Sequence, residues 1–136
     1  MAAAGYSGTP LARKLGLKDH MAVCIVGAPG QLIDWLQPLP PGLRFVKHAD
    51  AGADVVLLFT DSAAALSRHL AGCRDSLRGD AALWVCWPKK ASKVPTDITE
   101  DTIRALALPL GWVDVKVCAV SEVWSGLRLV VRKELR

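Results

Sequence analysis

The chain has 136 residues, 51% of them apolar and 22% charged, enough to bury a substantial core, so the expectation is one folded α/β domain over 1–136, with no second catalytic domain within it. Seventeen basic against thirteen acidic side chains give a formal charge of +4, but the basic residues form no dense cluster of the kind that binds nucleic acid, the short run being Lys89-Lys90 with Lys93 close behind. No apolar stretch, Val55 to Phe59 included, comes near the roughly 18 to 20 residues that cross a bilayer, and Met1 to Gly8 lacks the basic-then-apolar order of a secretory signal, so the expectation is a cytoplasmic protein with a flexible segment at 1–8.

Thr9-Pro10 opens a short helix, with threonine as the cap, proline at the first helical position, Leu11 and Leu15 on one face and Gly16 as its end. Met21 to Val26 is apolar at every position and runs into Gly27-Ala28-Pro29-Gly30, the pattern of a strand buried on both faces in the middle of a parallel sheet. Leu32, Trp35 and Leu36 mark a brief helix that Pro38, Pro40 and Pro41 terminate. Leu43 to Lys47 is a short second strand and Asp54 to Phe59 a third. Asp61 is placed to cap a helix whose buried stripe is Leu66, Leu70, Cys73 and Leu77. Ala82 to Trp87 is a fourth strand, and Pro88 to Pro95 a loop carrying the lysines. Asp97 and Glu100 have capping-box spacing before a helix with Ile103, Leu106, Ala107 and Leu110 inward. Trp112 to Val120 and Leu127 to Arg132 alternate partly, and the connection Ser121 to Gly126 suits an antiparallel hairpin.

The four cysteines are widely spaced, with no Cys-x-x-Cys pair, and read as small buried hydrophobes; no metal site is expected from them or from the scattered His20, His48 and His69. Trp35, Trp84, Trp87 and Trp112 read as core.

This order of elements predicts a three-layer, Rossmann-like α/β sheet of about six strands, parallel in the middle with an antiparallel C-terminal hairpin. Leu11 to Val26 and Leu77 to Pro88 resemble the first helix-strand unit and a later turn-strand unit of the class I methyltransferases. The connection between Lys47 and Asp54 is shorter than in that fold by a strand and two helices, so the resemblance is to a truncated form. More narrowly, Gly5 to Lys133 resembles a family of short bacterial proteins known as a domain of unknown function. The carriers are Gly5-Tyr6-Ser7-Gly8-Thr9-Pro10-Leu11, Trp87-Pro88-Lys89-Lys90-Ala91-Ser92, Thr96-Asp97-Ile98-Thr99-Glu100-Asp101, Val115 to Ala119 and Trp124 to Arg128. That resemblance implies no activity.

Ligands of such sheets bind beyond the carboxyl ends of the parallel strands, which nominates Gly27, Ala28 and Gly30, Asp61, Lys89, Lys90 and Ser92, and Trp124. The lysines and Ser92 suit an anion, as point charges and a donor, or else form a solvated loop. Trp124, in the hairpin connection, either covers the sheet edge or offers a stacking surface. The methyltransferase resemblance implies an acidic residue two positions before three alternating glycines, but this chain has Ile25, then Gly27, Pro29 and Gln31. Pro29 has no N–H to donate, so no cofactor is expected, S-adenosylmethionine being the single candidate should the turn still accept it. No nucleophile motif stands out, and helix starts account for the carboxylates. The expectation is a non-enzymatic binding or regulatory module for an anionic small molecule or a protein partner, with an atypical or inactive methyltransferase as the alternative and homodimerisation through the outer hairpin as a further possibility.

Overall fold

The computed structural model describes residues 8–136, so the segment expected to be flexible lies, Gly8 apart, outside the described residues. Its centre is a six-stranded sheet in the order β2-β1-β3-β4-β6-β5. β1 (Ala22–Val26), β2 (Arg44–Val46), β3 (Val55–Phe59) and β4 (Ala82–Pro88) run parallel, while β6 (Trp124–Val131) is antiparallel to β4 and to β5 (Trp112–Ala119). The all-apolar runs became the central strands because each must bury both faces. Val56 and Leu58 of β3 face one layer and Val55, Leu57 and Phe59 the other.

Helix α3 (Ala63–Ser76) and helix α4 (Glu100–Ala107) cover the first face through Leu66, Leu70, Cys73, Ile103 and Ala107. The short helices α1 (Leu11–Lys14) and α2 (Leu32–Trp35) cover the second through Leu11, Leu15, Leu32 and Leu36. Trp84, fully buried, donates from its indole N–H to the Leu15 carbonyl at 2.9 Å and so fastens the end of α1 to the sheet. This is a three-layer, Rossmann-like α/β sheet with antiparallel C-terminal strands, as the order of elements predicted. Among the described residues no helix is long and apolar enough to cross a membrane.

Three caps differ from expectation. Pro10, not Thr9, occupies the N-cap of α1, with no side-chain cap. Ser62, not Asp61, caps α3, its hydroxyl accepting the Ala65 N–H at 3.2 Å, because the chain turns one residue later than the aspartate. At α4 the capping box is Thr99 with Thr102 rather than Asp97 with Glu100. Asp97 is turned elsewhere: its carboxylate accepts the Ala63 N–H at 2.7 Å, at the start of the other helix.

β5 is an outer edge strand with Val115 and Val117 half exposed, interrupted by a register shift between Asp114 and Lys116. A bulge in an edge strand blunts pairing with another sheet. β2 forms the other edge and leaves Phe45 exposed.

At the amino end of the strands, the Asp54 carboxylate accepts the Ala22 N–H at 2.8 Å and an Arg78 N–H at 2.6 Å. The Ala22 amide, and then Arg78, hold its carboxyl below the usual carboxylate range. A depressed carboxyl stabilises the fold fully above the unfolded value of about 3.9, and this contribution is lost as pH falls through the folded value. The melting temperature of Asp54→Asn is therefore expected to lie below that of the native chain from neutral pH down to about pH 5, with the gap closing below about pH 4. Thermal melts across that range check it; a gap that widens in acid contradicts the clamp.

Candidate functional site

The carboxyl ends of β1, β3 and β4 bring the nominated segments to one edge in the order 27–30, 60–62 and 88–93. Neighbouring strands lie about 4.8 Å apart, so the ends of β1 and β4 are about 10 Å apart, with the end of β3 between them.

Gly27 is bound up with the sheet itself. Its φ is +69°, and a Cβ there would lie 2.5 Å from the Phe59 carbonyl oxygen, so the residue lets β1 and β3 close on each other as the chain leaves the strand. A Cβ at Gly30, by contrast, would meet nothing within 4 Å, so that turn residue is open on its side-chain face. Ala28 is half-buried and packs against the core of the second face.

Asp61 presents an exposed side chain, and its carbonyl anchors the next segment: Thr96 donates to it at 2.9 Å and the Asp97 N–H at 3.4 Å. The chain at 96–97 is thereby tied to the segment that follows β3, and the glycine turn is not among the residues that line the cavity at the lysine loop.

The lysine loop has a cavity of its own, of about 580 Å³, lined by Lys89, Lys90 and Lys93 together with Trp87, Thr96 and Ser125 among others. The Lys89 N–H donates to the Val123 carbonyl at 2.8 Å, joining the loop to the β5–β6 connection. Ser92 works inside the loop, since its hydroxyl donates to the Lys89 carbonyl at 2.7 Å and accepts the Val94 N–H at 3.2 Å. Lys93, at φ +62°, turns the chain out of a short 3-10 segment at Lys90–Ser92. Among the described residues none of these lysines is in an ion pair, and the cavity's carboxylate, Glu100, is held by Arg104 at 2.9 Å. Sequence reasoning missed Thr96, Thr99 and Ser125 as lining residues. Ser125 was legible in principle, because it pairs with Trp87 across β4 and β6.

Trp124 is not in a connection: it is the first residue of β6, paired with Pro88, and its ring meets Phe59 edge-on with centroids 5.1 Å apart. Serine and glycine at 125–126 suggest a turn from sequence, yet both continue the ladder. Gly126 leaves room for its neighbours there, since a Cβ would stand 3.1 Å from the Trp84 ring and 3.3 Å from Val120.

Burial pushes the Cys73 thiol up to about 11 and also raises Cys24, Cys86 and Cys118, so all four favour the protonated, unreactive form. No group of three or more His, Cys, Asp or Glu among the described residues is placed to hold a metal ion.

No family model matches the sequence, and no curated protein does. Solved structures do match. The mitomycin 7-O-methyltransferase MmcR aligns over 90% of this chain and 53% of its own, at 13% identity and a TM-score of 0.66. A SAM-dependent methyltransferase from Aquifex aeolicus aligns over 89% of this chain and 87% of its own, at 13% identity and a TM-score of 0.64. LepI, solved with SAH and a substrate analogue, aligns over 91% of this chain and 47% of its own, at 12% identity and a TM-score of 0.55. The chain thus spans about half the length of MmcR and LepI and shares with all three the methyltransferase-like fold.

Proposed function

We propose that the chain is an atypical relative of the SAM-dependent methyltransferases that keeps the ligand edge of their sheet and binds an anionic small molecule in the lysine-rimmed cavity after β4. The observation that carries this is the cavity of about 580 Å³ whose Lys89, Lys90 and Lys93 have no carboxylate partner among the described residues. A point charge on lysine and a hydroxyl donor on Thr96 or Ser125 suit a carboxylate or phosphate.

The turn after β1 fits S-adenosylmethionine poorly. Ile25 offers no acceptor, Pro29 offers no N–H, and Phe59 closes on Gly27. No methyl-transfer step is therefore derived. The likeness to the Aquifex enzyme over most of its length still favours a second reading, an active methyltransferase that reaches the adenosyl group from the open side of Gly30.

Thermal unfolding with S-adenosylhomocysteine, phosphate and a nucleotide series separates the two. A ligand at 100 times its Kd stabilises by about 2.7 kcal/mol, a shift of several degrees for a domain of this size. Under the lysine reading, anions produce the shift, and Lys89→Ala with Lys90→Ala reduces it while leaving the unliganded melt within about a degree, since unpaired surface lysines contribute little to stability. A shift from S-adenosylhomocysteine alone, lost in Gly30→Val, would replace this reading with the second.

A further inference from the structure

Arg128 lies midway along β6, opposite Trp84 on β4 and Lys116 on β5. Its Nε is buried and has no hydrogen-bond partner, alone in this among the buried side-chain nitrogens and oxygens of the described residues. An unpaired buried donor on a charged group is costly, so such a group calls for an acceptor. The neighbouring carboxylates do not supply one: Asp80 accepts from Arg78 at 3.0 Å, and Asp114 accepts from Arg104 at 3.0 Å. Lys116 is spent on the Lys14 carbonyl at 3.1 Å.

Arg128 instead lines a cavity of about 300 Å³ with Arg136, Gly79, Asp80, Val115 and Val130. Arg136 is positioned there by its Nε, which donates to the Val131 carbonyl at 2.8 Å. Val115 belongs to the register shift in β5 and joins the cavity wall. Bulges commonly re-aim a side chain beside a binding site. The cavity adjoins Gly79 and Asp80, just before β4, and so lies at the edge opposite the lysine loop.

We infer that Arg128, seconded by Arg136, forms a separate oxyanion site at this edge for the carboxylate or phosphate of a small molecule. Nε itself is covered by protein, so the ligand's oxygens accept from the guanidinium's Nη N–H groups, the planar fork that arginine offers and lysine cannot. The space holds about ten waters' volume, room for a small organic anion.

The test is thermal unfolding, and Arg Nε–H NMR, of the full chain with sodium phosphate or sodium succinate, ionic strength being matched with sodium chloride. Either probe is expected to raise the melting temperature and move the Arg128 Nε–H resonance; in the Lys89→Ala, Lys90→Ala variant the resonance moves as before and part of the melting shift remains, which separates this site from the lysine cavity. Arg128→Lys is expected to weaken binding about tenfold or more. Arg128→Met, which removes the unpaired buried Nε, is expected to melt no lower than the native chain without ligand. A response to phosphate alone assigns a phosphoryl ligand, and one to succinate alone a carboxylate. No response to either probe, a response undiminished by Arg128→Lys, or a collapse of the unliganded melt in Arg128→Met overturns the site.

Discussion

Replacing Gly27 by valine is expected to cost the fold about 2–6 kcal/mol, from two sources that add. A β-branched residue held at φ +69° carries about 1–3 kcal/mol of backbone strain. Its Cβ would meet the Phe59 carbonyl at 2.5 Å, and forcing two central strands apart costs about 1–3 kcal/mol more. A domain of this kind has about 5–15 kcal/mol in hand, so much of the protein would be unfolded at moderate temperature. Urea denaturation at neutral pH measures the loss directly. A midpoint within a few tenths molar of the native chain would show that β1 and β3 do not close at this residue. Gly27→Val is consequently no probe of ligand binding, whereas Gly30→Val, in open space, is.

Trp84→Ala is expected to remove about 3–5 kcal/mol, because the ring is fully buried at the middle of β4 and nothing nearby can collapse into its volume without moving α1. Trp84→Phe separates packing from hydrogen bonding. It keeps most of the apolar contact but leaves the Leu15 carbonyl without its donor, for a loss of about 1–3 kcal/mol. Guanidinium melts of the three proteins should therefore rank native, phenylalanine, alanine. Equal midpoints for the native and phenylalanine chains would mean that the indole N–H does not hold α1.

The central sheet was legible because burial on two faces leaves an unbroken apolar run, and Met21 to Val26, Val55 to Phe59 and Ala82 to Trp87 are such runs. The hairpin was legible in kind but misplaced at one end. Trp124, Ser125 and Gly126 look like a turn locally, and only the Trp84 ring opposite explains the glycine as part of a strand. Caps failed for a related reason. Asp61 and Asp97 have suitable chemistry, yet a capping side chain is chosen by where the backbone turns, and Asp97 is captured by an amide 34 residues away. The lysine loop was visible as a polar cluster, but the cavity beneath it needs Thr96 and Thr99 from the approach to α4 and Ser125 from β6. Arg128 read only as one residue on a wetter face, since sequence does not report an unpaired atom.

The bond from Ala63 to Asp97 makes a backbone proton answer to events in the lysine cavity. Thr96 and Thr99, on that cavity's wall, flank Asp97, and the carboxylate shields the first amide of α3. When the wall lifts, that amide is released to water and trades its hydrogen with solvent; when an occupant pins the wall, it does not. Deuterium uptake at Ala63 should slow as the cavity fills, although Ala63 itself is not part of the cavity wall.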